Sequence, residues 1–174
     1  MEELDRFKAY SAMAETSRKW VSVMDAKAGF ISALCAASLV FIWSGAKLAD
    51  SQGCVRTLAI TATILIVASL FLALQIILPR TNLFQAFRKR LVYADDYHPI
   101  SFFSYVAEKY PSEKHKEFLE LVDSMDERAL AREALEQHYT ICHVLQRKSK
   151  GVAIAGWMWL VSAAVIVVAM TLRG

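Results

Sequence analysis

Three stretches of this 174-residue chain hold no Asp, Glu, Lys or Arg: residues 28–46, 57–78 and 151–172, which are 19, 22 and 22 residues long. An α-helix rises about 1.5 Å per residue, so about 20 apolar residues cross a hydrocarbon core about 30 Å thick, and each stretch qualifies. A buried helix of that length in a soluble protein keeps a polar face, and these have none. All 20 basic and 17 acidic residues fall in the remainder. The expectation is an all-α membrane protein with three transmembrane helices. A soluble enzyme, a secreted disulfide scaffold and a β-barrel are excluded.

The charged flanks divide the chain into an amphipathic N-terminal helix (1–27), a first span (28–46), an outer loop (47–56), a second span (57–78), a cytoplasmic helical region (79–150) and a third span (151–172). Residues 1–27 carry both charge signs, unlike the short basic start of a secretory signal, so the first span is read as retained. Basic residues number five before the first span, two in the loop 47–56, twelve in 79–150 and one after residue 172. Basic loops stay cytoplasmic, which places the N-terminus and 79–150 inside and Gly174 outside. Trp43, Trp157 and Trp159 suit interfacial belts. Within 79–150 the twelve basic residues face eleven acidic ones, and the basic clusters at Arg88–Arg90 and Arg147–Lys150 sit near membrane entry points, so lipid headgroups rather than nucleic acid are the expected partner. Cys35, Cys54 and Cys142 fall in three different compartments, and no disulfide is expected.

Phe7, Ala14, Val21, Met24 and Ala28, with Leu4, share one face of a helix leading into the first span. After Pro111, Ser112 is placed to cap a helix with a stripe of Phe118, Leu121, Val122, Met125 and Ala129, then Leu135, Tyr139, Cys142 and Leu145. No glycine or proline interrupts Ser112 to Lys150, so this helix is expected to continue into the third span. Arg128 and Arg132 break any coiled-coil seam. Residues 82–92 and 101–110 read as two shorter helices separated by a turn at 94–99. Spans one and three thus extend into a cytoplasmic helical stalk.

Catalytic constellations are absent from this pattern. Six glycines form no phosphate loop, His98, His115, His138 and His143 make no i, i+4 pair, and Cys142 lacks a second Cys-x-x-Cys half. Glu133 and Glu136 share a helix face, where carboxylates ordinarily solvate. Neither catalytic residues nor metal ligands are assigned, no cofactor is expected, and the chain is read as a non-enzyme. No ionisable group sits mid-span, and Gln75 is the one strongly polar side chain in a span. Gly29, Ala33 and Ala37 form a small-residue line that serves packing either within one chain or between copies. At the inner boundary, Asp25 and Lys27 precede the first span and Arg80 closes the second. Two readings stand: headgroup anchors, or an anion site in which Asp25 orients Lys27 or Arg80 against a phosphate while Phe102, Phe103 or Tyr110 stacks on a base.

Asp25-Ala26-Lys27-Ala28-Gly29, Leu78-Pro79-Arg80, Phe102-Phe103 followed by Ala107 and Lys109-Tyr110, and Glu136-Gln137 with Tyr139 leading through Lys148 occur in an order that resembles the transmembrane effectors of the Pycsar anti-phage systems, PycTM. The pattern departs at Ser104-Tyr105, where Gly-Asp is expected, and at His138, where an aliphatic residue is. The resemblance covers most of the chain. It implies a bacterial inner-membrane protein that senses a cyclic pyrimidine nucleotide, cCMP or cUMP, made by a partner pyrimidine nucleotide cyclase. As a homo-oligomer it would then impair the membrane of the infected cell. It adds Tyr139 and Lys148 to Asp25, Lys27, Arg80, Phe102, Phe103 and Tyr110 as candidate ligand-binding residues. The alternative is an accessory or scaffold subunit of a larger membrane complex.

Overall fold

Two of the apolar stretches do not begin new helices. In the computed structural model, which describes residues 3–78, 100, 106, 107 and 109–173, each continues a charged helix without a break. Helix α1 is Glu3–Val40, α2 is Cys54–Ile77, α3 is His115–Asp123 and α4 is Glu127–Arg173. At about 1.5 Å per residue, α1 is about 57 Å long, α2 about 36 Å and α4 about 70 Å. All three exceed a hydrocarbon core of about 30 Å, and all three are apolar enough to cross a membrane. No strand occurs among the described residues. Most of the two short helices expected at 82–92 and 101–110, and the turn between them, lies outside the described residues. Val106, Ala107 and Lys109 are helical, and the Tyr110 N–H donates to the Val106 carbonyl at 2.8 Å.

The chain divides into two units. One comprises the described parts of 22–80 and 146–174. Its core is a seam of small side chains with almost no exposure: Ala59, Ala62, Ala73, Ala155 and Ala169, joined by Cys35, Ile42 and Ile66. Small residues let helix backbones approach closely where lipid removes any hydrophobic drive to associate. Ser69 of α2 is fully buried, donates to the Ala155 carbonyl of α4 at 2.7 Å and accepts from the Cys35 thiol of α1 at 3.5 Å. One hydroxyl thereby links three helices. Trp159 Nε1 donates to Ser38 Oγ at 3.2 Å, so Trp159, expected in an interfacial belt, is tied inward; Trp157 remains exposed. Only 22% of the apolar window of α2 is buried. Ile64, Val67 and Phe71 point outward, as lipid permits and water would not.

Beyond Val40 the chain makes a π-helical turn, Phe41–Gly45, then reverses through Lys47 (φ 46°), a 3₁₀ turn at Leu48–Asp50 and Gly53 (φ 65°). The Arg173 guanidinium donates to the Ala46 carbonyl at this end. Gly29, Ala33 and Ala37 do not supply the intrachain seam: Ala33 and Ala37 are exposed, and a Cβ on Gly29 would meet nothing within 4 Å. The buried face of α1 runs instead through Ala28 and Cys35, one heptad apart, and continues at Ile42 in the π-helical turn.

The other unit comprises the described parts of 1–21 and 81–145. The α1 face foreseen from the apolar spacing is there, with Ala14 buried and Phe7 and Val21 partly so. Ser112 does not start one long helix. Pro111 leads into a 3₁₀ turn, Ser112–Lys114, with no side-chain cap, and α3 ends at Asp123. Ser124 closes it, its N–H and Oγ both donating to the Leu121 carbonyl at 3.2 and 2.7 Å. A new helix starts because Asp126 Oδ1 accepts from the Ala129 N–H at 2.7 Å, an N-cap. The expected stripe of α4 is corrected in part, since Ala129, Cys142 and Leu145 are partly buried. Ala131 and Ala134 are buried, whereas Leu135 and Tyr139 of the expected stripe are 43% and 61% exposed.

Candidate functional site

At the charge boundary of the span unit, α1 and α4 are tied by an ion pair between Asp25 and Lys148. The two side chains are 35% and 21% exposed, so water screens the pair only partly. Helical continuity positions both: Asp25 lies one turn before the buried Ala28, and Lys148 two turns before the buried Ala155. The expectation that Asp25 orients Lys27 or Arg80 is therefore corrected for Lys27. Asp25 takes Lys148 instead, and Lys27 is exposed at the mouth of an apolar groove lined by Val23, Phe30 and Ile31 of α1 and Gly156, Trp157 and Leu160 of α4. Arg80, Phe102 and Phe103 lie outside the described residues.

In the other unit, Tyr110 packs against Phe118 with ring centroids 5.4 Å apart, beneath the Lys109 ammonium at 5.8 Å. Tyr139 stands edge-on to His143 at 4.5 Å. Of the eight candidate ligand residues, the structure thus joins Asp25 with Lys148, sets Lys27 on the neighbouring groove, and shows Tyr110 and Tyr139 in separate aromatic contacts.

Sequence reasoning missed one cluster. Ser17, buried on α1, lies 3.1 Å from His138 Nδ1, and Cys142 Sγ is 3.6 Å from His138 Nε2 and 3.9 Å from Ser17 Oγ. The clue was present: His138 and Cys142 stand four residues apart, on one face of a helix. His138 is also where the sequence departs from the expected aliphatic residue, and its partner is the buried Ser17 hydroxyl. No group of three His, Cys, Asp or Glu side chains suited to a metal occurs among the described residues. On the solvent side of α1, Lys19 bonds to Glu15 at 3.0 Å across one turn, which holds the Glu15 carboxyl below the usual carboxylate range.

These features define a class by architecture: an all-helical membrane protein with three helices able to span, two of which continue beyond the apolar stretch as charged helix. Over residues 9–173 the chain matches the Pycsar effector protein domain, PycTM. It belongs to that family and is a Pycsar effector of anti-phage defence. Neither a curated protein nor a solved structure matches it.

Proposed function

We propose that this chain is the non-catalytic, membrane-acting arm of a Pycsar system in the bacterial inner membrane, with its N-terminus cytoplasmic and Gly174 periplasmic. Its cytoplasmic helical region senses cCMP or cUMP made by a partner pyrimidine nucleotide cyclase, and the spans, as a homo-oligomer, then impair the membrane and arrest the infected cell. The Asp25–Lys148 pair carries the reading. It is a half-buried contact between α1 and α4, placed where each helix leaves its charged part. The phosphate of a cyclic nucleotide carries one negative charge and competes with Asp25 for the Lys148 ammonium. Whichever arrangement of the helices gives the phosphate better contacts gains population, by no more than the ligand's differential affinity. A switch from 1:99 to 99:1 needs about 5.5 kcal/mol of such difference, so one displaced ion pair must be joined by base contacts. The family resemblance offers Phe102, Phe103, Tyr110 and Tyr139 as aromatic candidates for nucleotide contact and Arg80 as a further cation. Three helices enclose no pore alone, which is why several copies are required.

Dye release from liposomes carrying the pure protein, challenged separately with cCMP, cUMP, cAMP and cGMP, tests this reading. Release with one pyrimidine nucleotide alone supports it; silence with all four overturns it. A second reading, an accessory subunit of a larger membrane complex, draws on the exposed Leu135, Tyr139 and Val144 of α4. Recovery of a fixed partner without nucleotide would favour it.

A further inference from the structure

We infer that the groove between α1 and α4 at the charge boundary seats one anionic phospholipid, with its phosphate on Lys27 and an acyl chain along the apolar floor. The inference does not rest on nucleotide sensing and requires only that the spans lie in a bilayer.

The groove is open and shallow, with a volume of about 590 Å³, and Lys27 is its one charged lining residue. Lys27 is also the last charge before residues 28–46, and Lys150 the last before 151–172. The groove therefore starts where headgroups lie and continues into hydrocarbon. Lys27 has no carboxylate partner among the described residues, because Asp25, the nearest acid in sequence, is held by Lys148. On α4 the lining runs from Val152 to Leu160, a rise of about 12 Å. That approaches one leaflet's half of a core about 30 Å thick.

Gly156 lines the groove on the α4 side. A Cβ there would sit 3.7 Å from Ile31 Cδ1 in ordinary contact, so the missing side chain leaves room without any clash forbidding one. Phe30 and Trp157, 66% and 68% exposed, stand at its sides. A soluble phosphate would answer Lys27 but leave the apolar floor uncovered. A second copy's apolar surface would cover the floor but bring Lys27 no anion. A phospholipid with net negative charge satisfies both.

The test uses the full chain with Trp157 as its lone tryptophan (Trp20→Phe, Trp43→Phe and Trp159→Phe), reconstituted in mixtures of brominated phosphatidylglycerol or brominated phosphatidylcholine with their unbrominated forms. Bromine quenches indole on contact. The anionic lipid is expected to quench Trp157 with about five-fold higher affinity, the factor one cation contributes near an anionic surface. Lys27→Gln should bring the two lipids to parity, and Gly156→Leu, which fills the groove, should weaken quenching by both. Equal quenching in the parent protein, a preference that survives Lys27→Gln, or no quenching by either lipid overturns the proposal; the last would mean that protein covers the groove. Because Trp159 bonds to Ser38, a second measurement keeps all tryptophans. Native mass spectrometry of the unsubstituted chain in detergent should show retained phosphatidylglycerol over phosphatidylcholine, and Lys27→Gln should abolish that selectivity. Equal retention of both lipids counts against the site.

Discussion

The Ser69 hydroxyl donates to the Ala155 carbonyl at 2.7 Å with no exposure to solvent, joining α2 to α4. Interhelical bonds of this kind in membrane proteins contribute about 0.6 kcal/mol on average and up to about 1.7. Ser69→Ala is therefore expected to lower unfolding stability in detergent by that amount. Ser69→Leu, which overfills a closed seam, should cost more, about 1–3 kcal/mol. Equal effects would show that the hydroxyl's bond, not its size, matters.

The Asp25–Lys148 pair separates a structural role from a signalling one. Asp25→Asn and Lys148→Gln each leave a half-buried charge without its partner, and each should destabilise by about 1–2 kcal/mol, below the fully buried range because water reaches the pair. Their responses to nucleotide should diverge. On the proposed mechanism, Asp25→Asn removes the competitor for the phosphate and is expected to lower the nucleotide concentration needed for dye release, while Lys148→Gln is expected to remove the response. A purely structural pair would make the two variants behave alike.

Ser17 and His138 form a pair whose worth a double-mutant cycle can isolate. Ser17→Ala and His138→Leu should each cost about 1 kcal/mol, because each leaves the other polar group with only the weak Cys142 thiol as partner. The double variant should cost less than the two together, with a coupling of about 0.5–1.5 kcal/mol by thermal unfolding. Additivity would mean that the 3.1 Å contact carries no net stabilisation.

Asp126 caps α4, and its removal should fray that helix from its first turn. Asp126→Ala is expected to cost about 1 kcal/mol and to speed hydrogen exchange at Ala129 and Leu130, while Asp126→Asn, which keeps an accepting oxygen, should change little. Unchanged exchange in the alanine variant would remove the cap from the account.

Gly151 and Gly156, both within α4, should respond unequally to alanine. A Cβ on Gly151 would lie 3.0 Å from Ile76 Cδ1, so Ile76 must shift, whereas Gly156 has room. Gly156→Ala should stabilise by up to about 1 kcal/mol from backbone entropy, and Gly151→Ala should recover less of that gain. Thermal unfolding of the two single variants side by side reads the difference.

The spans were legible because absence of charge over about 20 residues has one ordinary explanation. The inward face at Ala14 and Ala28 was legible because helical spacing survives whatever the helix packs against. What escaped had weaker local signals. The break at 124–126 contains neither glycine nor proline; it rests on one aspartate whose carboxylate bonds to the backbone of the next helix. Along the inward face of α4, Ala131, Ala134 and the partly buried His138, Cys142 and Leu145 turn in, while the larger Leu135 and Tyr139 face out, so apolar size misplaced those two members of the stripe and not the rest. Ser69 is one of several serines in the apolar stretches, and only the approach of Ala155 makes it a link. Of the candidate ligand residues, the Asp25–Lys148 pairing was hidden because the two lie 123 positions apart.

Alanine methyls, which form much of the seam between the spans, have one further property. A methyl side chain has no alternative rotamer, so the seam cannot relax piecemeal by turning torsions, as leucines or methionines would. Displacement must separate whole rows of contacts together or not at all. A membrane lesion controlled through such a surface would open in steps, with quiet and leaking molecules coexisting and few in between.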